Sequence, residues 1–320
     1  MTRRVAAVDC GTNSIRLLIA DVDPDRATLS DVDRRMEIVR LGQGVDTTGR
    51  LAPEALDRTL KALRGYAGLI ESRGAEAVRM VATSATRDAA NADEFTRRVT
   101  EVLGTGPEVV GGDEEARLSF LGATAELGAS VAAPYLVTDI GGGSTEFVLG
   151  QHGQVASALS VNVGCVRMTE RHLRDDPPSR AQIAAATADI DRAIAQAAAV
   201  VDVSRARTLV GLAGSVTTVA GVALDLPAYD PERLHHSRLA AAQVHQVTTR
   251  LLAQTRAERA RIPVMHPGRI DVIGGGALIL DRIMIRLGLA EVLVSEHDIL
   301  DGIAWSIATP DPVPDPVPGP

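Results

Sequence analysis

Two short stretches combine carboxylate, glycine and hydroxyl residues at one spacing. Asp9-x-Gly11-x-x-Ser14 and Asp139-x-Gly141-x-x-Ser144 each follow an apolar run and precede another. Each reads as a strand, a tight turn and a second strand. In the later copy, Gly141-Gly142-Gly143 runs into Ser144-Thr145-Glu146. Glycine permits φ > 0 and lets a bulky anion approach the backbone. Successive N–H groups in such a turn form a concave anion nest. A neighbouring carboxylate repels phosphate unless a divalent cation lies between them. The pattern therefore points to phosphate with Mg²⁺, or Mn²⁺ in its place. Asp9 and Asp139 are the candidate metal ligands, directly or through water. Gly11, Asn13, Ser14, Gly141, Gly142, Gly143, Ser144 and Thr145 are the candidate phosphate cradle.

A phosphate site also needs cations. Arg87 follows a predicted strand, and its planar fork of donors matches phosphate oxygens. Arg16, Arg167 and Arg269 are further candidates along the path of a polyanion. Glu115 lies in Glu114-Glu115-Ala116-Arg117 at a helix start. On position alone, a carboxylate there only complements the helix dipole. Glu146 is a second acid close to the predicted phosphate. The seven histidines show no ligand spacing and are expected in loops or at the surface. The two cysteines, Cys10 and Cys165, form no disulfide framework. Cys165 reads as a small buried hydrophobe and Cys10 as inert.

These residues sit in a chain of 320 residues, a length that favours two domains. The apolar fraction is 45% and the net charge −8. That balance argues against DNA or other non-specific nucleic-acid binding. No apolar run is long enough to span a membrane, and no leader is evident, so a cytoplasmic location is expected. Strand-like runs at 4–8, 15–20, 36–41, 77–82, 108–110, 208–212 and 291–294 alternate with helical spacing. Helices are expected over 53–72, 114–127, 180–201, 239–257 and 298–308, with Asn91 and Asp113 as caps. The two Asp-Gly-Ser turns lie about 130 positions apart, the length of one domain. Each predicted domain thus contributes one turn. The proline-rich end, 309–320, is expected to be disordered.

The stretches AVDCGTNSIRLLIA, ATSATRDAAN, GDEEARLSFLGA, VTDIGGGSTEFVLG, NVGCVRMTE, GLAGSVTTVAG and RIDVIGGGALIL occur in that order. Together they resemble the exopolyphosphatase and guanosine pentaphosphate phosphohydrolase (Ppx/GppA) family, of the actin-like ATPase superfold. The resemblance implies an α/β protein of two actin-like (ribonuclease H-like) domains with a cleft between them. The expected bounds are 1–125, joined by the last helix 298–308, and 126–297. It corresponds to the family's short, two-domain form. It implies Mg²⁺-dependent hydrolysis of the terminal phosphate of inorganic polyphosphate, with Glu115 as general base and Glu146 assisting or holding metal. The same site would serve a guanosine pentaphosphate 5′-phosphohydrolase. A small-molecule kinase or a non-catalytic nucleotide-binding scaffold is the remaining alternative. The sequence shows no sugar-binding segment and no acid set against an acceptor hydroxyl. Gly214–Thr218 and Gly274–Gly276 match places where the superfold's ATPases hold adenosine; helix packing is the competing reading. Leu300 and Asp301 stand where the family often carries Arg and Glu. Domain closure and a homodimer are further expectations of the resemblance.

Overall fold

The computed structural model describes residues 1–128 and 131–309. Arg3–Cys10 (β1) is buried on both faces from Val5 onward, as expected of a central strand. Ser14–Asp23 (β2) returns antiparallel to β1, and Thr28–Ile38 (β3) returns antiparallel to β2. Ala77–Ala82 (β4) and Glu108–Val109 (β5) add in parallel on the other side. The order is β3-β2-β1-β4-β5.

The second sheet repeats this plan. Tyr135–Ile140 (β6), Thr145–Gln151 (β7) and Gln154–Val161 (β8) form an antiparallel meander. Thr208–Leu212 (β9) lies parallel to β6. Arg238–Ala240 (β10) is an antiparallel edge strand on Glu291–Val294 (β11), which is parallel to β9. The order is β10-β11-β9-β6-β7-β8. Apart from β10, both sheets are a three-stranded meander followed by two parallel strands. The protein is α/β, with two sheets built on one plan.

Two helices join the sheets. Gly112–Thr124 follows β5 of the first sheet, yet its Ala116, Phe120 and Ala123 pack with Tyr135, Val137 and Val148 of the second. Its Leu118 packs instead with Val5, Ala7 and Leu18 of the first. Ile299–Ala308 follows β11 of the second sheet and packs its Ile303 and Ala304 on the first. Where the helices cross, a Cβ on Gly122 would overlap the Asp298 carbonyl oxygen. A Cβ on Gly302 would overlap the Leu118 carbonyl oxygen. The contact is reciprocal, and backbone touches backbone on both sides. Among the described residues, no helix is long and apolar enough to cross a membrane.

Several sequence expectations need correction. The strand expected over 36–41 ends at Ile38. Val39 and Arg40 instead donate their N–H groups to the Asn13 carbonyl at 3.1 and 2.8 Å, and Gly42 N–H donates to Thr12 O at 2.8 Å. This segment straps the first Asp-Gly-Ser turn. Asn91 occupies an N-cap position without capping: its side chain pairs with both backbone polar groups of Leu51. Gly111, not Asp113, is the N-cap of Gly112–Thr124, and that helix stops before 127. The segment expected as one helix over 239–257 begins in β10, forms Ala241–Ala253, and breaks before Arg256–Arg259. Of the expected tail, 310–320 lies outside the described residues.

The crossing yields a prediction. Ala at Gly122 or Gly302 has no flexible neighbour to displace, so either substitution should destabilise by roughly 3 kcal/mol or more. Gly65, on the helix Pro53–Ser72, has nothing within 4 Å of the place a Cβ would take. Gly65→Ala should therefore stabilise by up to about 1 kcal/mol through helix propensity. Urea unfolding midpoints compare the three; a neutral Gly122→Ala would contradict the backbone contact.

Candidate active site

The two turns face each other across a cleft and are built alike. Gly11 N–H donates to Ser14 O at 3.0 Å, and Gly141 N–H donates to Ser144 O at 3.1 Å. These bonds close the turns, so those two amides are not free for a ligand. None of Gly11, Gly141, Gly142 and Gly143 has a left-handed φ, contrary to the sequence expectation. What the glycines permit is close approach. A Cβ on Gly142 would meet Thr12 Cβ at 2.8 Å, and one on Gly143 would meet the Ser84 hydroxyl at 2.6 Å. Thr12 and Ser84 share a hydrogen bond of 2.9 Å. The second turn is held from behind by the helix Cys165–Arg171. Cys165 N–H donates to Gly141 O, and Val166 and Arg167 N–H donate to Gly142 O.

Strand register then fixes the acids. Asp9 is paired across strands with Arg16, and Asp139 with Glu146. Arg16 Nη2 lies 2.6 Å from Asp9 Oδ2, and its Nη1 also pairs with Asp298. Asp9 Oδ1 is buried with no hydrogen-bond partner. Asp139 Oδ2 accepts from Ser119 Oγ at 2.7 Å. Ser119 lies one helical turn after Glu115, so Gly112–Thr124 presents both to the cleft region. Glu115 accepts from Arg87 Nη1 at 3.1 Å, and the same nitrogen donates to Val110 O at 2.9 Å.

Crowding buried carboxylates raises their affinity for protons. Burial, opposed by Arg87, pushes Glu115 up to about 7. Burial and the charge of Asp298 raise Asp139 to about 6. Glu146 is held well above the usual carboxylate range by burial and by the charges of Glu115 and Asp139. Burial also raises Asp9, and Arg16 only partly offsets it. Asp298 goes the other way: burial works against its charge, but Arg16, the Leu300 N–H and Arg34 outweigh it.

The cleft wall gathers Asp9, Gly11, Asn13, Ser14, Arg16, Glu115, Asp139, Gly141, Gly142, Ser144 and Arg269. Five other expected residues do not line it. Thr145 donates its hydroxyl to Val163 O at 2.6 Å, so it braces the turn and does not face a phosphate. Gly143 makes room for Thr12 and Ser84. Glu146 is 1% exposed, behind the wall, and accepts from Ser160 Oγ at 2.7 Å. Arg87 reaches the site through Glu115. Arg167 is spent on Gly143 O, Asp46 and Asp88, tying the second turn to the first half. Arg171 also pairs with Asp46, and Glu170 accepts from Gly44 N–H.

The sequence of this chain matches the profile of the Ppx/GppA phosphatase family over residues 18–309. The chain belongs to the Ppx/GppA phosphatase family. It is 52% identical to Exopolyphosphatase 2 of Mycobacterium tuberculosis over 316 residues, covering 95% of this chain and 98% of that protein. A Bifunctional 3-dehydroquinate synthase/phosphatase of Fusobacterium nucleatum is 33% identical over 303 residues, covering 93% of this chain and 45% of that protein. Among solved structures, an exopolyphosphatase-like protein superimposes with a TM-score of 0.93 at 44% identity, covering 96% of this chain and 98% of the other. The Ppx/GppA family member of Aquifex aeolicus gives 0.80 at 29% identity, covering 98% of this chain and all of the other.

Gly214 lines the cleft beside Arg269, whose guanidinium occupies the place a Cβ would take. Arg269 also donates to Gly214 O and Thr218 Oγ1. Gly275 admits Cys165 O, and Gly276 admits Ser215 Oγ, in the same way. Close packing is one reason for Gly275 and Gly276. Sequence reasoning missed Asp298 and Ser119. Asp298 could have been read as an N-cap acid before an apolar helix, and Ser119 as the residue one turn beyond Glu115. Asp301 accepts from Arg34 Nη2 at 2.6 Å and from Asp298 N–H, so it braces the Asp298 loop.

Glu115 supplies a pH prediction. Its pKa rises from 4.5 in the unfolded chain to about 7 in the fold. Over that interval the folded state holds more protons, so stability falls as pH rises through it. A shift of this size corresponds to roughly 3 kcal/mol against the charged form. Glu115→Gln should thus gain stability over wild type, by on the order of 1–3 kcal/mol at pH 8 but little at pH 4.5. Denaturant unfolding across pH without added metal measures the difference; a pH-independent gap would contradict it.

Proposed function

We propose that this Ppx/GppA phosphatase is an exopolyphosphatase that releases the terminal phosphate of inorganic polyphosphate, using Mg²⁺ held at Asp9 and Asp139. The observation that carries this reading is Glu115. It is a buried carboxyl on the wall between the two turns, with a pKa of about 7. Burial keeps this carboxyl a stronger base than one in water, and Mg²⁺ at Asp9 and Asp139 would offset the acid charges that raise it further.

The donor set fits a hard divalent cation. Asp9 Oδ1 is a buried carboxylate oxygen with no partner, and Asp139 stands on the facing turn. Mg²⁺ typically takes one or two carboxylates, with water and phosphate oxygens completing its shell. When bound it would neutralise charge on the phosphate oxygens and link them to the protein. The residues of this chain do the rest. The cleft-lining backbone at Thr12, Asn13, Gly142 and Ser144 offers N–H groups to the phosphate. The Ser14 hydroxyl adds a donor, while that of Ser144 is engaged with Glu146. Glu115 orients the water and removes its proton as the new P–O bond forms on the side opposite the leaving oxygen. The terminal P–O bond breaks, and the shortened polyphosphate departs with that oxygen. Arg87 holds Glu115 in place from behind the cleft wall. Arg269 supplies positive charge along the cleft for the rest of the polyanion, while Arg16 is committed to Asp9 and Asp298.

Orthophosphate release from polyphosphates of defined length, with Mg²⁺, tests the reading. Wild type should release phosphate, and chelation of the metal should stop it. Glu115→Gln should lower kcat by about 10²–10⁴-fold while still binding polyphosphate. Absence of release by the Mg²⁺-loaded wild type would defeat the proposal. Guanosine pentaphosphate assayed in parallel would reassign the substrate if it were strongly preferred.

A further inference from the structure

Three of the seven histidines meet at one place, although nothing in their spacing announces it. His235 stacks on His236 with ring centroids 3.7 Å apart and lies 4.5 Å from the His297 ring. His297 Nδ1 is 3.3 Å from Glu126 Oε2. Ligand atoms of Glu126, His235 and His297 all lie within 4.8 Å of one another. They come from three separate segments. Glu126 is just past the helix Gly112–Thr124, His235 follows the short turn Pro231–Leu234, and His297 sits between β11 and the last helix.

A second observation bears on the same spot. His236 has φ of 61°, the left-handed region, and its N–H donates to Val294 O at 2.8 Å. A non-glycine residue held there costs on the order of 1 kcal/mol or more and tends to mark functional positions. This bend sets the adjacent imidazoles face to face beside His297.

We propose that Glu126, His235 and His297 form a binding site for a divalent transition metal of the Zn²⁺ class, separate from the phosphate cleft. Two imidazoles and one carboxylate are a common three-ligand set for Zn²⁺, with a fourth position left to water. Imidazole selects against Mg²⁺, which prefers oxygen ligands. The metal lies outside the catalytic set, so it is distinct from the cation held at Asp9 and Asp139. With the ligand atoms within 4.8 Å of one another, an ion among them would draw them closer. His235 Nδ1 now accepts the Glu296 N–H at 3.2 Å, and coordination through either ring nitrogen gives up that hydrogen bond. The location gives the metal leverage. Glu126 is four positions beyond Gly122, and His297 precedes Asp298, whose carboxylate holds Arg16. A bound ion would fasten the end of one crossing helix to the start of the other.

The test is calorimetric titration of Zn²⁺ into full-length, metal-stripped protein in saturating Mg²⁺. Wild type should bind Zn²⁺ at one site. Glu126→Gln and His297→Ala should each weaken binding at least about tenfold. His152→Ala, in an exposed turn, should leave it unchanged. Co²⁺ in place of Zn²⁺ should give a four-coordinate visible absorption band that both ligand variants lose. Glu126 is exposed, so Glu126→Gln remains decisive even if His297→Ala fails to fold. Absence of Zn²⁺ binding by wild type overturns the proposal. So does equal binding by Glu126→Gln and His152→Ala.

Discussion

Five carboxylates, Asp9, Glu115, Asp139, Glu146 and Asp298, are buried at one site, and Arg16 pairs with only two of them, Asp9 and Asp298. So much negative charge withdrawn from water is stable only if it is paired, protonated or matched by a cation. The protein uses the first two means. Arg16 pairs with Asp9 and Asp298, and the remaining acids hold their protons more tightly than they would in water. This constraint shapes the surroundings. Ser119 and Ser160 donate to acids that lack a cation, and Arg87 is placed against Glu115. A cleft in this condition favours a ligand that brings positive charge with its negative charge, as a metal–phosphate complex does.

The two halves show how one backbone plan can carry different chemistry. Both turns close with the same hydrogen bond, and both place an Asp opposite a residue seven positions later. In the first half that residue is Arg16, and in the second it is Glu146. The repeat supplies position, and the side chain at one register site decides whether the acid is neutralised or crowded. The helices repeat the theme. One presents Glu115 and Ser119, while its counterpart opens with the N-cap Asp298.

Much of the fold was legible because β1, β4, β6 and β9 are short apolar runs that end in recognisable turns. The helix Pro53–Ser72 likewise carries a clear apolar stripe. What was illegible depended on partners far apart in sequence. Nothing local tells that the chain from Val39 continues as a strap, since its reason is the Asn13 carbonyl. The break at Ala240 arises from β11, about 50 positions away, because an edge strand forms only beside its neighbour. In the site, residue types and spacing located Asp9, Asp139 and the glycine turns. The left-handed φ expected of the glycines was wrong, and their close contact with the first loop was invisible without that loop. Thr145 looked like a phosphate ligand because only its backbone position, not the Val163 carbonyl, was in view.

The glycine contact between the crossing helices has a consequence for how the halves depend on each other. Each helix leaves one sheet and lies on the other, Gly112–Thr124 against Tyr135 and Val137, and Ile299–Ala308 against Val5 and Ala7. At their crossing the backbone of each touches the other with no side chain between. The placing of Glu115 on one helix and of Asp298 at the start of the other therefore depends on a contact that has no rotamer to adjust. Two acids from distant parts of the chain are spaced by backbone geometry.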